Sequence, residues 1–587
     1  MSVQSKHLLN TPESLVVESL RGVCATNPEV ALDEANKILF QKAVDRSKVA
    51  LVCGGGSGHE PAHSGFVGKG MLSAAVCGNI FASPSPSQVR NAINLVDNQK
   101  GTLIVVKNYT GDVLNFGLAK EQFGALHPEK SNSLEFVIVG DDVAVGREQG
   151  KIVGRRGLAG TVLVYKVAGA LAQSGASLNE VYEIATWVAG RLATIGVSLG
   201  HTHVPGTGTS ESDISTSEIE IGMGIHNESG HKRVSPIPKL SELIPQLLDL
   251  LTSTTDSDRS FVPFKGRDEV VVLVNNLGGL SELELGGIVA EVRKELDARG
   301  YGISRLLSGT YMTSLNMPGF SITLFMLPEK NSTSSPSIDL ILSLLDEETD
   351  APGWKCTSKA VVSSLDKYSF HSKTEEHRNP GQNGLPASDP NSFIDSIKKA
   401  AQALINAEPE ITKMDTIAGD GDCGLTLKAG AEAVLSKAET GELSGSDVAQ
   451  AMISISQIAE DKMGGTSGAL YSIFFSALAQ GLHASGDSNH VSSQGWTKAL
   501  HDARDKLYTY TRARPPSRTL VDPLDAFIST LSKSFDASVK AAADAAENTR
   551  DVEAKAGRSA YVEGDRLKNE KIPDPGAWGV KVILENI

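Results

Sequence analysis

The sequence predicts an α/β amino-terminal region, built as two α/β subdomains, followed by an all-helical carboxy-terminal region. Three observations carry this. Up to about residue 330, short β-branched runs alternate with helical stretches, as layered α/β domains require. After residue 390 helical periodicity continues with almost no strand pattern. Between the two lies a stretch rich in turn formers and poor in apolar residues, which reads as a linker. At 587 residues the chain is too long for one hydrophobic core. The expected division is therefore 1–356, a linker over 357–389, and 390–587.

Taken in order, the runs Val49–Cys53, Thr102–Lys107, Phe136–Gly140, Val270–Asn275 and Ser321–Leu327 are expected to be buried strands. Leu178–Leu199 and Leu283–Arg299 read as helices between them, and residues 329–336 as a polar loop before a short helix, Ile338–Leu345. Past residue 390, Phe393, Ile397, Ala400, Ala401, Leu404 and Ile405 fall on one helical face. Amphipathic helices are predicted over 426–439, 446–462, 468–484, 494–512 and 519–549. No short-period repeat occurs, which removes solenoid architectures.

Composition narrows the function. Hydrophobic residues are 40% and charged residues 21%, as in soluble globular domains. A net charge of −15 argues against nucleic acid as a partner, since a binder needs basic surface to neutralise phosphates. The five cysteines (Cys24, Cys53, Cys77, Cys356, Cys423) form no CxxC pair, so neither a disulfide framework nor structural zinc is expected. The first residues contain no apolar signal segment, no run reaches bilayer-spanning length, and the final LENI is not a peroxisomal address. A cytoplasmic protein without membrane partners is the expectation.

The most pointed motif is Asp415-x4-Asp420-Gly421-Asp422, with Gly419 and Gly424 beside it. Carboxylates this close repel one another unless a cation sits among them. Mg2+ fits, because it takes hard oxygen ligands from a few carboxylates together with substrate phosphates. The competing reading is a solvated acidic turn between helices. Lys462-Met-Gly-Gly-Thr-Ser-Gly468 precedes an apolar helix, whose N-terminal amides suit a phosphate. Ordinary capping by Thr466 or Ser467, with close packing at the glycines, is the alternative there. Pro573-Asp-Pro-Gly-Ala577 could close over a ligand or be a simple turn. No Walker A sequence exists, so polyphosphate would have to be clamped through metal ions on the aspartates.

In the α/β region three segments share one form: an apolar strand, a glycine-containing loop and a reactive polar group. Val49–Pro61 contains Gly-Gly-Gly-Ser-Gly-His59, and an imidazole at a strand's C-terminal edge suits acid–base work. Lys107-Asn-Tyr-Thr-Gly-Asp112 offers a cation and a carboxylate. Glu220-Ile-Gly-Met-Gly-Ile-His226-Asn-Glu228 presents a second imidazole. Each histidine alone could be structural; together they point to one site.

With GGGSGHEP, KNYTGD, MGIH and the aspartate triad in this order, the chain resembles the ATP-dependent dihydroxyacetone kinases (glycerone kinases, triokinases) of single-chain, two-domain type. The resemblance spans nearly the whole length. It implies a substrate-binding domain over 1–356 and an antiparallel eight-helix barrel over 390–587 that binds ATP. It implies that His226 holds dihydroxyacetone, and also glyceraldehyde, as a covalent hemiaminal, a use of a nucleophilic imidazole that selects for a carbonyl. Gly56, Ser57, Gly58, His59, Lys107 and Asp112 would line the triose, with His59 and Asp112 catalytic at its terminal hydroxyl. Asp415, Asp420 and Asp422 would hold two Mg2+ ions. Cys423, Gly424, Leu425, Thr426, Thr466, Ser467, Thr519, Leu520, Asp574, Pro575 and Gly576 would contact ATP. Homodimers, with the helical domain of one subunit reaching the triose site of the other, are also implied.

Three departures from the family pattern stand out: Cys423 where histidine is frequent, Pro516 where glycine is usual, and Asn227 in place of a frequent glycine. Two other functions compete with the kinase. One is cleavage of FAD to AMP and cyclic FMN at the same nucleotide site, normally with Mn2+. The other is a non-catalytic triose-binding regulatory module, against which the intact triad argues.

Overall fold

The computed structural model describes residues 6–208, 214–329, 336–355, 384–484, 489–553 and 570–587. They fall into two compact units, one within Met1–His371 and the other within Ser372–Ile587. Of the expected linker, residues 357–383 lie outside the described residues, as does Cys356. Its remaining end belongs to the helical unit, where the Ala387 amide donates to Gly445 O and Val448 N to Leu385 O.

The first unit contains two six-stranded sheets. One is built from β1 (Val30–Asp33), β2 (Ile38–Gln41), β3 (Ala50–Ser57), β4 (Ala74–Ile80), β5 (Thr102–Lys107) and β6 (Leu134–Val139), in the order β1-β2-β4-β3-β5-β6. Strands β3 to β6 are mutually parallel, and a β1–β2 hairpin extends the edge. Parallel strands buried on both faces read as continuous apolar runs, which is why β5 was visible in sequence: all six of its residues are buried. Strand β3 lies between β4 and β5, so the chain passes from β3 to one neighbour and later returns on its other side. Ligands of open parallel sheets bind at such a switch point, outside the C-terminal strand ends. The sequence's glycine-rich loop is in part strand, since Gly54–Ser57 end β3; the chain leaves there at Gly58–His59 and, from the end of β5, through Lys107–Asp112.

The second sheet runs β11-β10-β12-β7-β8-β9, from β7 (Leu192–Ser198), β8 (Ile219–Ile221), β9 (Lys232–Val234), β10 (Glu269–Asn276), β11 (Gly302–Gly309) and β12 (Gly319–Met326). Only β10 and β11 pair in parallel. The helix Gly160–Gln173 touches strands of both sheets and is buried nearly all round, as a helix sandwiched between two layers must be. The helix expected over Leu178–Leu199 is corrected here. A helix spans Leu178–Ala189, stops at Gly190, and Leu192–Ser198 is the central strand β7. Apolar residues fit either period, and pairing with β12 along seven residues decides for the strand.

The second unit is all-helical among the described residues: Pro390–Ala418, Cys423–Glu439, Val448–Ile458 continuing as a π turn to Met463, Gly465–His483, Ser493–Tyr510, Val521–Thr530, Phe535–Asn548 and Pro575–Leu584. The predicted run 519–549 is two helices, broken at residues 531–534. Each helix packs on the next, and the last packs on the first, closing a ring. Inside it lies an apolar cavity of about 820 Å3, lined by residues such as Leu404, Ile455, Phe474 and Leu524. Among the described residues no helix is long and apolar enough to cross a membrane.

Candidate active site

At the switch point the backbone packs too tightly for side chains. A Cβ on Gly56 would lie 2.7 Å from Ala82 N, and Gly58 has φ +104° with a would-be Cβ 2.7 Å from the Phe81 ring. Glycine alone meets both demands without strain. The loop therefore carries His59 inward, where it is fully buried. Its Nδ1 lies 2.8 Å from Thr313 O, and its Nε2 lies 3.0 Å from His226 Nε2. His226 comes from the loop after β8, so the two imidazoles meet from different sheets.

Aromatic rings wall in the His226 imidazole. Phe81 and Tyr109 stand edge-on to it with centroids 4.9 and 4.7 Å away, and His59 at 4.8 Å. Its Nδ1 is 3.1 Å from Glu228 Oε1, and its backbone amide donates to Glu228 Oε2 at 2.9 Å. Gly224 explains why the preceding segment is glycine-lightened: a Cβ there would lie 2.1 Å from Glu228 Oε2 and 2.5 Å from Arg156 Nη1. Arg156 in turn binds Asp142 at 2.8 Å and Gly222 O at 2.7 Å. Burial by itself raises the Glu228 carboxyl, but the hydrogen bonds and charge of His226 outweigh it and push it down to about 2.

Asp112, in the first turn of the helix Thr110–Leu126, and Lys107 complete the pocket, and both are buried. Both approach Gly55, whose Cβ would be 3.3 Å from Asp112 Oδ2 and 3.7 Å from Lys107 Cε. Burial raises the Asp112 carboxyl despite the Lys107 charge and the Ser83 hydroxyl, and burial lowers the Lys107 ammonium despite Asp112. Burial, then the charges of Lys107 and His226, holds His59 well below the usual imidazole range. Asp112 Oδ1 is buried without a hydrogen-bond partner. A native acceptor left so is costly, and it marks where a ligand hydroxyl would be received. Ser57 and Gly58 are otherwise engaged: the hydroxyl donates to Gly78 O at 2.8 Å and the Gly58 amide to Glu60 at 3.0 Å.

Asn227 adopts φ +63°, which explains why glycine is an alternative there. Its side chain turns to Thr202, accepting from Thr202 N and donating to Thr202 O, each at 2.9 Å.

In the helical unit the triad is not purely a loop. Asp415 sits in the last turn of Pro390–Ala418 and is buried, Asp420 lies in the turn, and Asp422 is the N-cap of Cys423–Glu439. One carboxylate oxygen from each lies within 4.8 Å of the others. Asp415 Oδ2 accepts from the Cys423 amide at 2.9 Å, and a Cβ on Gly419 would come 2.3 Å from Asp415 Oδ1. Gly421 takes φ +82° to bring Asp420 and Asp422 round. Three hard oxygens facing one space, two of them on exposed residues, fit a Mg2+ ion that keeps part of its shell for phosphate and water.

The neighbouring residues fall into two groups. Cys423 is held protonated: burial and the charges of Asp415, Asp574 and Asp422 push its thiol up to about 12. Asp574 caps its helix through Ala577 N at 2.9 Å, and burial raises its carboxyl to about 6. Pro575 is buried and Gly576 half-buried beside it. Gly424 packs on the first helix, Leu425 is exposed and Thr426 half-buried. Thr466 and Ser467 do not cap Gly465–His483; Gly464 is its N-cap, with no side-chain cap bond, so the capping alternative is not realised. Close packing at the glycines does occur, since a Cβ on Gly468 would lie 2.8 Å from Ala459 O.

The turn after Pro516 is fastened internally. Ser517 N and Thr519 N both donate to Asp522, at 2.9 and 2.8 Å, and Leu520 points into the apolar cavity. Sequence reasoning assigned no role to Glu228, Tyr109, Phe81, Thr313 or Arg156. Only Glu228, two residues beyond His226, left a signal that could have been used.

Comparison with known proteins covers both units. Residues 21–353 match the Dak1 domain and residues 417–587 the DAK2 domain. The chain is 42% identical over 611 residues to the dihydroxyacetone kinase of Komagataella pastoris, covering 100% of this chain and 98% of that one. It is 38% identical over 601 residues to the triokinase/FMN cyclase of Homo sapiens, covering 99% of both. Among solved structures, the dihydroxyacetone kinase from C. freundii in complex with AMP-PNP and Mg2+ aligns over 99% of both chains, with 30% identity and a TM-score of 0.64.

Proposed function

This chain belongs to the dihydroxyacetone kinase family of ATP-dependent kinases, and from that premise we propose that it phosphorylates dihydroxyacetone, and glyceraldehyde, using ATP and Mg2+. Residues 1–356 bind the triose and residues 390–587 the nucleotide. The observation that carries this reading is the contact of His59 with His226, beside Asp112, whose carboxyl feels the His226 charge and keeps one buried oxygen unpartnered.

In the proposed reaction, His226 Nε2 adds to the ketone carbon. The carbonyl π pair moves to oxygen, which takes up one proton as the imidazole gives one up, leaving a neutral hemiaminal. Glycerol has no electrophilic carbon and escapes capture. The terminal hydroxyl of the trapped triose then attacks the γ-phosphorus, its proton passing to Asp112 as ADP leaves. The raised Asp112 carboxyl suits it to take that proton. Asp415, Asp420 and Asp422 would hold two Mg2+ ions, which neutralise phosphate charge that the acidic chain would otherwise repel. Residues 423–426, Thr466, Ser467, Thr519, Leu520 and 574–576 border the nucleotide in this reading, which also takes the protein to be a cytoplasmic homodimer.

A coupled assay of purified protein with dihydroxyacetone, D-glyceraldehyde and glycerol tests it. ADP release with the two trioses and none with glycerol is expected; equal turnover of glycerol contradicts carbonyl capture. A second activity, FMN cyclase, is favoured by the human relative's combined name and would use the same aspartate cluster. Release of cyclic FMN from FAD with Mn2+ would establish it.

A further inference from the structure

A left-handed backbone is costly for a residue with a large side chain, and such strain persists only where the surroundings impose it. Among the described residues six other than glycine adopt it, and three of these gather at the imidazole pair: Phe81 at φ +54°, Asn227 at +63° and Leu315 at +51°. Asn227 directly follows His226. Leu315 donates its amide to Gly58 O at 2.7 Å. Phe81 directly follows β4, and its amide donates to Ser57 O at 2.9 Å.

At residue 81 the strained backbone sets a ring against both imidazoles. The ring stacks on His59, with centroids 5.2 Å apart and planes 17° from parallel, and meets His226 edge-on at 4.9 Å. The two imidazoles approach each other through their Nε2 atoms, 3.0 Å apart. A carbonyl carbon that bonds to His226 Nε2 must therefore enter beside the Phe81 ring. Two glycines make room for it: a Cβ on Gly58 would lie 2.7 Å from Phe81 Cε1, and one on Gly56 3.0 Å from Phe81 Cα. Two residues further on, the Ser83 hydroxyl bonds to Asp112, so one turn of chain reaches from the imidazoles to that carboxyl. Tyr109 stands against His226 and the Lys107 ammonium, at 4.7 and 5.5 Å, whereas Phe81 stands against both imidazoles.

We infer that Phe81 determines specificity at this site: its ring closes the space beside the paired imidazoles and limits the captured carbonyl compound to three carbons, excluding longer ketoses. The inference rests on the reading of His226 as the capturing nucleophile and adds a size limit to it. Glycine at this position would relieve the backbone but leave the space open, so the strain is the cost of placing the ring. The fitting probe is 1,3,4-trihydroxybutan-2-one. It carries the same hydroxymethyl ketone as dihydroxyacetone, with one further carbon on the other arm. Its carbonyl carbon is open to the same addition and its terminal hydroxyl to the same phosphoryl transfer. Discrimination between the two ketones therefore measures space, and one carbon of misfit is worth about 10- to 200-fold.

The test compares wild type with Phe81→Gly, which removes ring and strain together, and with Phe81→Leu, which keeps much of the bulk. ADP release is followed with each ketone, ATP and Mg2+, using the full chain. In wild type, kcat/KM for dihydroxyacetone should exceed that for the four-carbon ketone by at least about tenfold. That ratio should fall by about tenfold or more in Phe81→Gly and by less in Phe81→Leu, with KM for ATP unchanged. A merely structural role would lower both ketones together and leave the ratio where it was. An unmoved ratio in Phe81→Gly overturns the inference, as does a wild type that uses both ketones equally. Where Phe81→Gly does not fold, Phe81→Ala is judged by the same ratio. If wild type releases no ADP with either ketone, the kinase reading fails instead. The ratio of their dissociation constants, by titration calorimetry, then judges Phe81 by the same criterion, and absence of binding by both overturns it.

Discussion

The surroundings of His226 and the aspartate cluster present opposite electrostatics. In the amino-terminal unit the charged groups near His226 have neighbours of their own: Glu228 lies 3.1 Å from His226 Nδ1, Asp142 pairs with Arg156, and the buried Lys107 feels the Asp112 charge. In the helical unit three carboxylates converge, with one backbone amide on Asp415 and two of the residues exposed. A walled pocket with one unpartnered carboxylate oxygen suits a small neutral molecule recognised by its carbonyl and hydroxyls. A cluster of like charges suits a cation and the phosphates it brings. In the proposed function recognition and phosphoryl donation are separate tasks: triose capture should survive loss of the metal site, while phosphorylation should fail without either.

The sharpest way to break the comparison is at the triad. Asp420→Asn or Asp422→Asn should lower the phosphorylation rate by about 1,000-fold, comparable to losing a main source of charge stabilisation, and leave triose capture intact. Undiminished turnover in either variant would discredit the metal assignment. On the other side, His226→Ala should remove the adduct by mass spectrometry and lower kcat/KM for dihydroxyacetone on the order of 100-fold, within the range for losing one catalytic group. A persisting adduct would point to another nucleophile.

The pH dependence sharpens the contrast. Because burial raises the Asp112 carboxyl, the form able to accept a proton is lost on acidification at a higher pH than for an ordinary carboxylate. The kcat profile should therefore fall on its acid side from above the usual carboxylate range. A limb at the ordinary carboxylate value would remove Asp112 as the base. The smallest effect is expected at Asn227→Gly. Two hydrogen bonds to Thr202 are lost, each worth about 1 kcal/mol, while the strain of a left-handed backbone is relieved. Thermal unfolding should shift by only a few degrees and KM for triose by no more than about threefold, since net changes near 0.5 kcal/mol are little more than twofold.

Much of this was legible in the sequence, for identifiable reasons. Strands buried on both faces announce themselves as apolar runs, so β3, β5, β10 and β12 were readable. The shift to unbroken helical periodicity after residue 390 marked the helical unit. Apolar content without a clear period misled at Leu192–Ser198, where pairing with β12 overrode a helical reading. The site motifs were visible because glycines and reactive groups stand together along the chain. What could not be read was contact across elements. Thr313 lies 254 residues from His59, Arg156 reaches Glu228 only where Gly224 lacks a side chain, and both depend on how the sheets meet. Asp415 likewise read as part of a loop, although it closes the first long helix.

The central claim is that an imidazole grips a ketone independently of the metal-loaded acids. It is tested most directly by 13C NMR of Asp420→Asn protein mixed with dihydroxyacetone labelled at its carbonyl carbon, with ATP and Mg2+ present. The ketone signal should be replaced, on the protein, by that of a tetrahedral carbon bearing nitrogen and oxygen, with no dihydroxyacetone phosphate formed. A ketone signal that stays unchanged, in this variant and in wild type alike, would contradict it.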